Sequence, residues 1–252
     1  MKKIVCLILV FWMVSLSSAS AKTFEILTGE WAPYVSEDME DGGPTAIVVT
    51  EVLKAAGHKA VFKYVPWKRT EVLTQRGQAV AAFPWSVTDE FKATCFLSTP
   101  IASQKMVFFY IKDNLGDWDY TGLDQLKKMK VGGSPGYTYV DIFKNAGVKA
   151  DYASTIENSF KKLVHGRLDV VPESLLVGWQ TIKSKLASST SKIAVSKTPL
   201  FVKPLYFMVS KKHPDGKELI DAYEKGFKII KANGVYQKIL DEYGLSEVRL
   251  AF

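Results

Sequence analysis

The chain has 252 residues, of which 47% are hydrophobic and 23% charged, and its formal net charge is +7. This composition excludes a disordered chain and a small disulfide-stabilised scaffold, because it supplies enough apolar residues for a large core. No run of five like charges occurs. We therefore interpret the basic balance as a solvated surface and expect no nucleic-acid partner.

The first residues predict a targeting segment. Lys2 and Lys3 precede an apolar run at 4–16, which is too short to span a membrane, and small residues follow up to Ala19-Ser20-Ala21. This order is typical of a secretory signal peptide with an A-x-A cleavage site. We expect residues 1–21 to be removed and a soluble, exported protein to begin at Lys22.

The remaining chain has few residues suited to redox or metal chemistry. Cys95 is the only cysteine after residue 21, so no intrachain disulfide is expected. His58, His165 and His213 are scattered and lack the spacing of metal ligands. We predict no metal and no cofactor.

Strands and helices alternate along the first half of the chain. This β-α-β-α-β order predicts a parallel or mixed sheet covered by helices. The predicted elements are a strand at 24–27, a helix from Pro44 to the stop signal Gly57, a strand at 60–65, a helix at 67–76 ended by Gly77, and a strand at 79–83.

The alternation then restarts, which favours two α/β lobes over one. Ser154 and Glu157 have the spacing of a capping box for a helix that ends at Gly166. The other predicted elements are a strand at 106–111, a polar stretch at 112–121, a helix at 123–129, a strand from 131, a helix at 137–145, strands at 169–171 and 205–210, and two terminal helices.

Aromatic and polar side chains recur just after the predicted strands. Ligands of open α/β sheets bind outside the carboxyl ends of strands, so this recurrence favours a binding cleft over core packing alone. The residues are Trp31, Tyr34, Trp67, Trp85, Ser86, Tyr137, Thr138, Glu173 and Ser174.

A serine nucleophile is the catalytic alternative. The run Gly132-Gly133-Ser134-Pro135-Gly136 matches the G-x-S-x-G nucleophile elbow. Pro135 lacks the N–H that would complete an oxyanion hole, and the downstream histidines lie in dissimilar contexts. We interpret this turn as an anion cradle at the start of a helix and predict no catalytic residue.

Several short motifs follow one another in a distinctive order. They are Trp31-Ala32-Pro33-Tyr34, Ser86-Val87-Thr88-Asp89-Glu90, Phe96-Leu97-Ser98-Thr99-Pro100-Ile101, Gly136-Tyr137-Thr138, Gly166-Arg167-Leu168-Asp169 and the tail at 232–240. Together they resemble the periplasmic solute-binding proteins of amino-acid ABC transporters, the bacterial extracellular solute-binding protein family 3. The resemblance covers essentially the whole chain after residue 21.

The resemblance implies the two-lobed type II periplasmic-binding-protein (Venus-flytrap) fold. Lobe 1 would comprise 22–105 and 209–252, and lobe 2 would comprise 106–208, with hinge strands near 106–110 and 205–207. It further implies a monomer in the periplasm that closes over a small-molecule ligand and delivers it to an ABC permease in the inner membrane.

The resemblance also assigns positions in the ligand site. In the family, a hydroxyl and an arginine five residues later hold the ligand's carboxylate, and these positions match Ser86 and Phe91. The family's acidic residue, which holds the ligand's ammonium, matches Ser174. Glu173 lies one residue away from that position, and Lys92 lies one residue from the other. Either could act as a substitute clamp.

The site thus departs from the family in a consistent direction. The hydroxyl pair at the anion-cradling helix matches Tyr137 and Thr138, with tyrosine in place of a small residue. Trp31, Trp67 and Trp85 add further aromatic surface, which suits a flat ring, an apolar group or an organic cation. We expect ordinary α-amino acids to bind weakly.

Two alternatives share the same fold. One is an enzyme like the cyclohexadienyl dehydratases, which would need a general acid beside a carboxylate clamp, and Glu173 is the only acid at a predicted strand end in lobe 2. The other is an extracellular module that presents ligand state to a receptor. We favour the non-enzymatic transport protein because the clamp arginine is missing.

Overall fold

The computed structural model describes residues 21–245 of the chain; the predicted signal peptide, residues 1–21, lies outside this range except for its last residue. The first half has the predicted β-α-β-α-β order, with an additional short helix and strand. Its elements are β1 (Thr23–Thr28), α1 (Pro44–Ala55), β2 (Lys59–Tyr64), α2 (Trp67–Arg76), β3 (Ala81–Trp85), α3 (Asp89–Thr94) and β4 (Cys95–Leu97).

The second half contains more short elements than predicted. They are β5 (Ala102–Ile111), α4 (Lys112–Leu115), α5 (Leu123–Leu126), β6 (Val131–Gly133), α6 (Tyr139–Ala146), β7 (Ala150–Tyr152), α7 (Ile156–Val164), β8 (Val170–Ser174), α8 (Leu175–Lys185), β9 (Ile193–Val195), β10 (Phe201–Ser210), α9 (Gly216–Ala232) and α10 (Val235–Glu242). Across residues 21–245, none of the helices has the length and apolar character needed to cross a membrane.

Local signals explain where several helices begin and end. α2 ends at Gly77, which adopts the left-handed conformation at φ 78°, and such a turn favours glycine. The predicted Ser154–Glu157 capping box is wrong. Thr155 is the N-cap of α7 instead, because its hydroxyl accepts from the N–H of Asn158 at 3.2 Å.

The ten strands between residues 21 and 245 belong to one mixed sheet of order β2-β1-β3-β10-β5-β8-β6-β7, with β4 paired to β10 and β9 to β5. β1 runs parallel to β2 and β3, and β6 runs parallel to β7 and β8. The strands β5 and β10 run antiparallel to their neighbours and to each other. The predicted α/β class is therefore confirmed.

The core divides along the sheet. One cluster lies around β1, α1, β3 and α9, and includes Ile26, Phe83 and Tyr223. Two further clusters lie around β5, β6 and β8, with Phe108 in one and Phe109 in the other. The long strands β5 and β10 connect these regions. The lobe boundaries, the hinge strands and the hinge motion stay predictions.

Candidate functional site

The loop after β1 positions the first two candidate residues. Trp31 donates its N–H to the carbonyl of Val35, and Tyr34 donates its N–H to the carbonyl of Trp31, both at 2.9 Å. This tight turn stacks the rings of Trp31 and Tyr34, with centroids 4.4 Å apart and planes inclined by 18°. Tyr34 is fully buried, whereas Trp31 stays partly exposed.

Tyr34 links this loop to the other half of the sheet. Its hydroxyl donates to the backbone carbonyl of Ser103 in β5 at 3.3 Å. It also shares a hydrogen bond of 3.2 Å with the hydroxyl of Ser174, at the end of β8. Burial is the main reason why the pKa of Tyr34 is raised, so the hydroxyl is neutral and able to donate.

Glu173 is the most unusual residue of the site. It lies in β8 opposite Val107 of β5 and is fully buried. One carboxyl oxygen, Oε1, accepts from the N–H of Ser174 at 2.7 Å, and Oε2 has no hydrogen-bond partner of ordinary geometry within residues 21–245. Burial raises the pKa of Glu173 to about 8, because a charged carboxylate is poorly solvated there.

Two tyrosines before and within α6 lie beside this carboxyl group. The rings of Tyr137 and Tyr139 stack with centroids 5.1 Å apart. Tyr139 accepts from the N–H of Ser134 at 2.7 Å, which fixes its ring. Burial and the neighbouring Glu173 raise the pKa of Tyr137, whose hydroxyl faces both Glu173 and Trp31.

A second aromatic group adjoins the first. Trp67 and Trp85 meet edge to face at 5.3 Å, and Trp85 in turn contacts Phe91 at 5.2 Å. Trp67 lies flat on Gly29, where an added Cβ would come within 2.6 Å of its ring, and its Nε1 donates to the carbonyl of Glu30 at 3.1 Å. The loop after β1 therefore places this second aromatic group next to the stacked pair of Trp31 and Tyr34.

The carboxylate-clamp positions are differently occupied. Phe91 is buried against Cys95 and Met208, so it packs in the core. Lys92 lies on the exposed side of α3 and pairs with Asp89 at 2.9 Å. Ser86 accepts a hydrogen bond from Nε2 of Gln104 at 2.7 Å.

The structure thus brings some predicted site residues together and separates others. Those that meet around the buried carboxyl are Trp31, Tyr34, Tyr137, Glu173 and Ser174, and those in the adjoining aromatic group are Trp67, Trp85 and Phe91. Lys92 is not brought to either group, and Thr138 is exposed. Their roles in ligand binding stay predictions.

Three residues of the site escaped the sequence analysis. Tyr139 supports Tyr137, and the consecutive Ser103 and Gln104 of β5 hold Tyr34 and Ser86 respectively. The signal for the β5 pair was two polar residues that precede an apolar strand segment. Nothing in the sequence distinguishes Tyr139 from an ordinary core tyrosine.

The surroundings of the buried carboxyl group suit the recognition of a ligand. Within the described residues, no three histidine, cysteine, aspartate or glutamate side chains are grouped closely enough to hold a metal ion. The buried carboxyl is surrounded by aromatic rings and hydroxyl groups, and such surroundings can hold a cation or donate a proton.

Solved structures share this fold at low sequence identity. An ancestral arginine-binding protein bound to arginine has 23% identity and a TM-score of 0.69, covering 88% of this chain and 97% of that one. A histidine kinase sensor domain similar to periplasmic binding proteins has 15% identity and a TM-score of 0.72, covering 87% and 95%. An ancestral amino-acid-binding protein, a precursor of cyclohexadienyl dehydratase, has 21% identity and a TM-score of 0.67, covering 88% and 94%.

These likenesses confirm the periplasmic-binding-protein fold, and identities below 25% establish nothing beyond the fold. Among curated proteins, none matches this chain in sequence. The family model that describes bacterial extracellular solute-binding proteins, family 3, matches residues 27–246, which is most of the chain. The chain therefore belongs to family 3 of the bacterial extracellular solute-binding proteins.

Proposed function

We propose that the protein binds a small organic solute between the two halves of its sheet and delivers it to an ABC permease. The observation that carries this proposal is the convergence of Trp31 and Tyr34 from one half with Tyr137, Glu173 and Ser174 from the other. The hydrogen bond between Tyr34 and Ser174 spans the two sets at 3.2 Å. A solute held between them would contact both halves and favour closure.

The solute class follows from what lines the site. Aromatic rings outnumber charged groups, and the arginine position of the family is filled by the buried Phe91. An α-amino acid would therefore lack a charge-assisted partner for its carboxylate. We propose an aromatic or cationic organic solute, of amino-acid-like size.

The proposed location of the protein rests on the predicted signal peptide and on the family. A signal peptide at residues 1–21 would place the protein in the periplasm, where solute-binding proteins of this family meet their permeases. We propose that it acts as a monomer and without catalysis.

A solute screen tests the proposal directly. We expect at least one small molecule from a panel of amino acids, amines, aromatic acids and heterocycles to raise the melting temperature, because a ligand at 100 times its Kd stabilises by about 2.7 kcal/mol. Native mass spectrometry of the protein taken from the periplasm should show the same molecule bound in a 1:1 ratio. A panel without a single stabilising solute, together with an unliganded mass, would contradict the proposal.

An enzyme related to the cyclohexadienyl dehydratases is the second candidate. The observation in its favour is Glu173, because a buried carboxyl with a pKa raised to about 8 keeps its proton at neutral pH and can act as a general acid. Incubation with prephenate or arogenate decides: turnover that disappears in Glu173→Gln would establish the enzyme. Unchanged substrate supports the binding protein.

A sensor role would use the same closure, since a histidine kinase sensor domain shares the fold. The two roles differ in the partner that recognises the closed form. Crosslinking in cells should capture a permease for a transport protein, and it should capture a receptor for a sensor.

A further inference from the structure

We infer that Glu173 is the counterion of an organic cation, and that the site selects amines over the corresponding α-amino acids. This inference rests on the proposed function and narrows its solute class. It depends on three features: a buried carboxyl group without a cationic partner, aromatic surroundings, and the lack, within residues 21–245, of a buried cation to receive a carboxylate.

The carboxyl group of Glu173 is buried without a cation to pair with it. Glu173 is fully buried, and its Oε1 accepts from the N–H of Ser174. The hydroxyl of Tyr137 lies beside the carboxyl group, but Oε2 has no hydrogen bond of ordinary geometry within residues 21–245. Buried polar atoms are almost always satisfied, and no cation of the described residues pairs with this carboxyl, so we assign Oε2 to a partner that arrives with the ligand. An ammonium N–H supplies such a partner, and its charge also compensates the burial of the carboxylate.

The side chains that face Glu173 are three tyrosines and a valine, none of which carries a positive charge. The loop after β1 contributes Tyr34, the approach to α6 contributes Tyr137, and α6 itself contributes Tyr139. The neighbouring strand β5 places Val107 opposite. Within residues 21–245, no lysine, arginine or histidine forms an ion pair with Glu173, so none of them would compensate its charge when the carboxyl ionises.

Aromatic faces add to the preference for a cation. The Trp31 ring lies against Tyr34 and beside the hydroxyl of Tyr137, which in turn lies beside the carboxyl group. The face of an indole or phenol ring attracts ammonium groups through its quadrupole. A cation would thus meet favourable electrostatics both from the rings and from Glu173.

A carboxylate on the same solute would find no comparable partner. The arginines of the described chain, Arg69, Arg76 and Arg167, are all exposed. Lys92, beside the family's arginine position, is paired with Asp89 on the surface. Ser86 accepts from Gln104 and can offer a carboxylate only its neutral hydroxyl proton. Neutral hydroxyl groups bind a carboxylate much less strongly than a buried guanidinium does.

The cation must pair with the ionised form of Glu173, which makes binding dependent on pH. Because burial raises the pKa of this carboxyl to about 8, the free protein has to release a proton when an amine binds near neutral pH. The affinity for amines should therefore rise about tenfold for each pH unit between about pH 6 and pH 8. A solute without a cation would show no such dependence.

Titration calorimetry with matched pairs tests the inference. The probes are phenethylamine and phenylalanine, tyramine and tyrosine, agmatine and arginine, with choline as a cation that does not titrate and 3-phenylpropionate as a carboxylate without an amine. We expect at least one amine to bind at least about tenfold more tightly than its amino acid and to release about one proton at pH 7.

A substitution of Glu173 with a matched control shows whether amine binding depends on this residue. Glu173→Gln keeps the size and polarity of the side chain and should weaken amine binding by at least about 30-fold. Asp113→Asn makes the same chemical change at an exposed position far along the chain and should leave the affinity unchanged. If the Glu173 variant does not fold, the pH dependence in the unmodified protein still decides.

Three outcomes would overturn the inference. They are tighter binding of the amino acid in each pair, binding of 3-phenylpropionate in preference to every amine, and no binding of any amine at 1 mM. In the first two, a solute still binds, so the proposed function would stand without its amine preference. Failure of the whole solute panel to bind would remove both.

Discussion

Replacing Tyr34 by phenylalanine removes one hydroxyl group while keeping the ring that stacks on Trp31. That hydroxyl is bonded to the carbonyl of Ser103 at 3.3 Å and to the hydroxyl of Ser174 at 3.2 Å. Both partners are buried residues, so water cannot readily replace the lost contacts. We expect Tyr34→Phe to lower the free energy of unfolding by about 1–3 kcal/mol.

Thermal unfolding followed by calorimetry or circular dichroism measures this loss. For a chain of this size, 1 kcal/mol corresponds to about 2–4 °C, so the melting temperature should fall by about 2–12 °C. Tyr152→Phe is the control, because Tyr152 is 37% exposed in β7 and solvent can reach its side chain. Equal melting temperatures for the two variants would refute the argument that Tyr34 ties the two halves together.

Three further predictions concern packing, pH and the aromatic site. Gly29→Ala should destabilise the protein by about 1–3 kcal/mol in urea denaturation, because the new Cβ would lie 2.6 Å from the Trp67 ring; an unchanged midpoint would contradict this. Burial raises the pKa of Glu173 to about 8, so the folded protein binds one more proton than the unfolded chain between about pH 5 and pH 8. Its free energy of unfolding should therefore fall as pH rises through this range, and Glu173→Gln should not show this fall. Parallel stability profiles of the two proteins would disprove the prediction. Trp67→Ala should abolish solute binding in calorimetry while Cys95→Ser leaves affinity nearly unchanged, and the reverse order would exclude the aromatic group from the site.

Much of the fold could be predicted because its signals are local. The helix α2 begins and ends where the sequence places it, since Trp67 follows a proline and Gly77 supplies the left-handed turn. Short apolar runs, and glycines at the ends of helices, similarly predict the alternation of strands and helices. The cap of α7 was wrong by one residue, because Ser154 and Thr155 are both good caps and only the backbone conformation chooses between them.

The sequence predicts which residues are candidates for the site, but it does not predict which of them contact one another. The ends of the predicted strands gave Trp31, Tyr34 and Glu173 as candidates, and the structure places them near one another. The contact between Tyr34 and Ser174 joins residues 140 positions apart, and no short-range pattern encodes it. The direction of Lys92 likewise depends on the rotation of α3, which is set by the burial of Phe91 on the opposite side.

Closure over a solute is the central claim, and small-angle X-ray scattering tests it most directly. The protein would be measured alone and with a saturating concentration of the solute that raises its melting temperature most. We predict a smaller radius of gyration with the solute than without it, and no change in Glu173→Gln at the same concentration of an amine. A solute that binds in a 1:1 ratio and leaves the scattering curve unchanged would contradict the account.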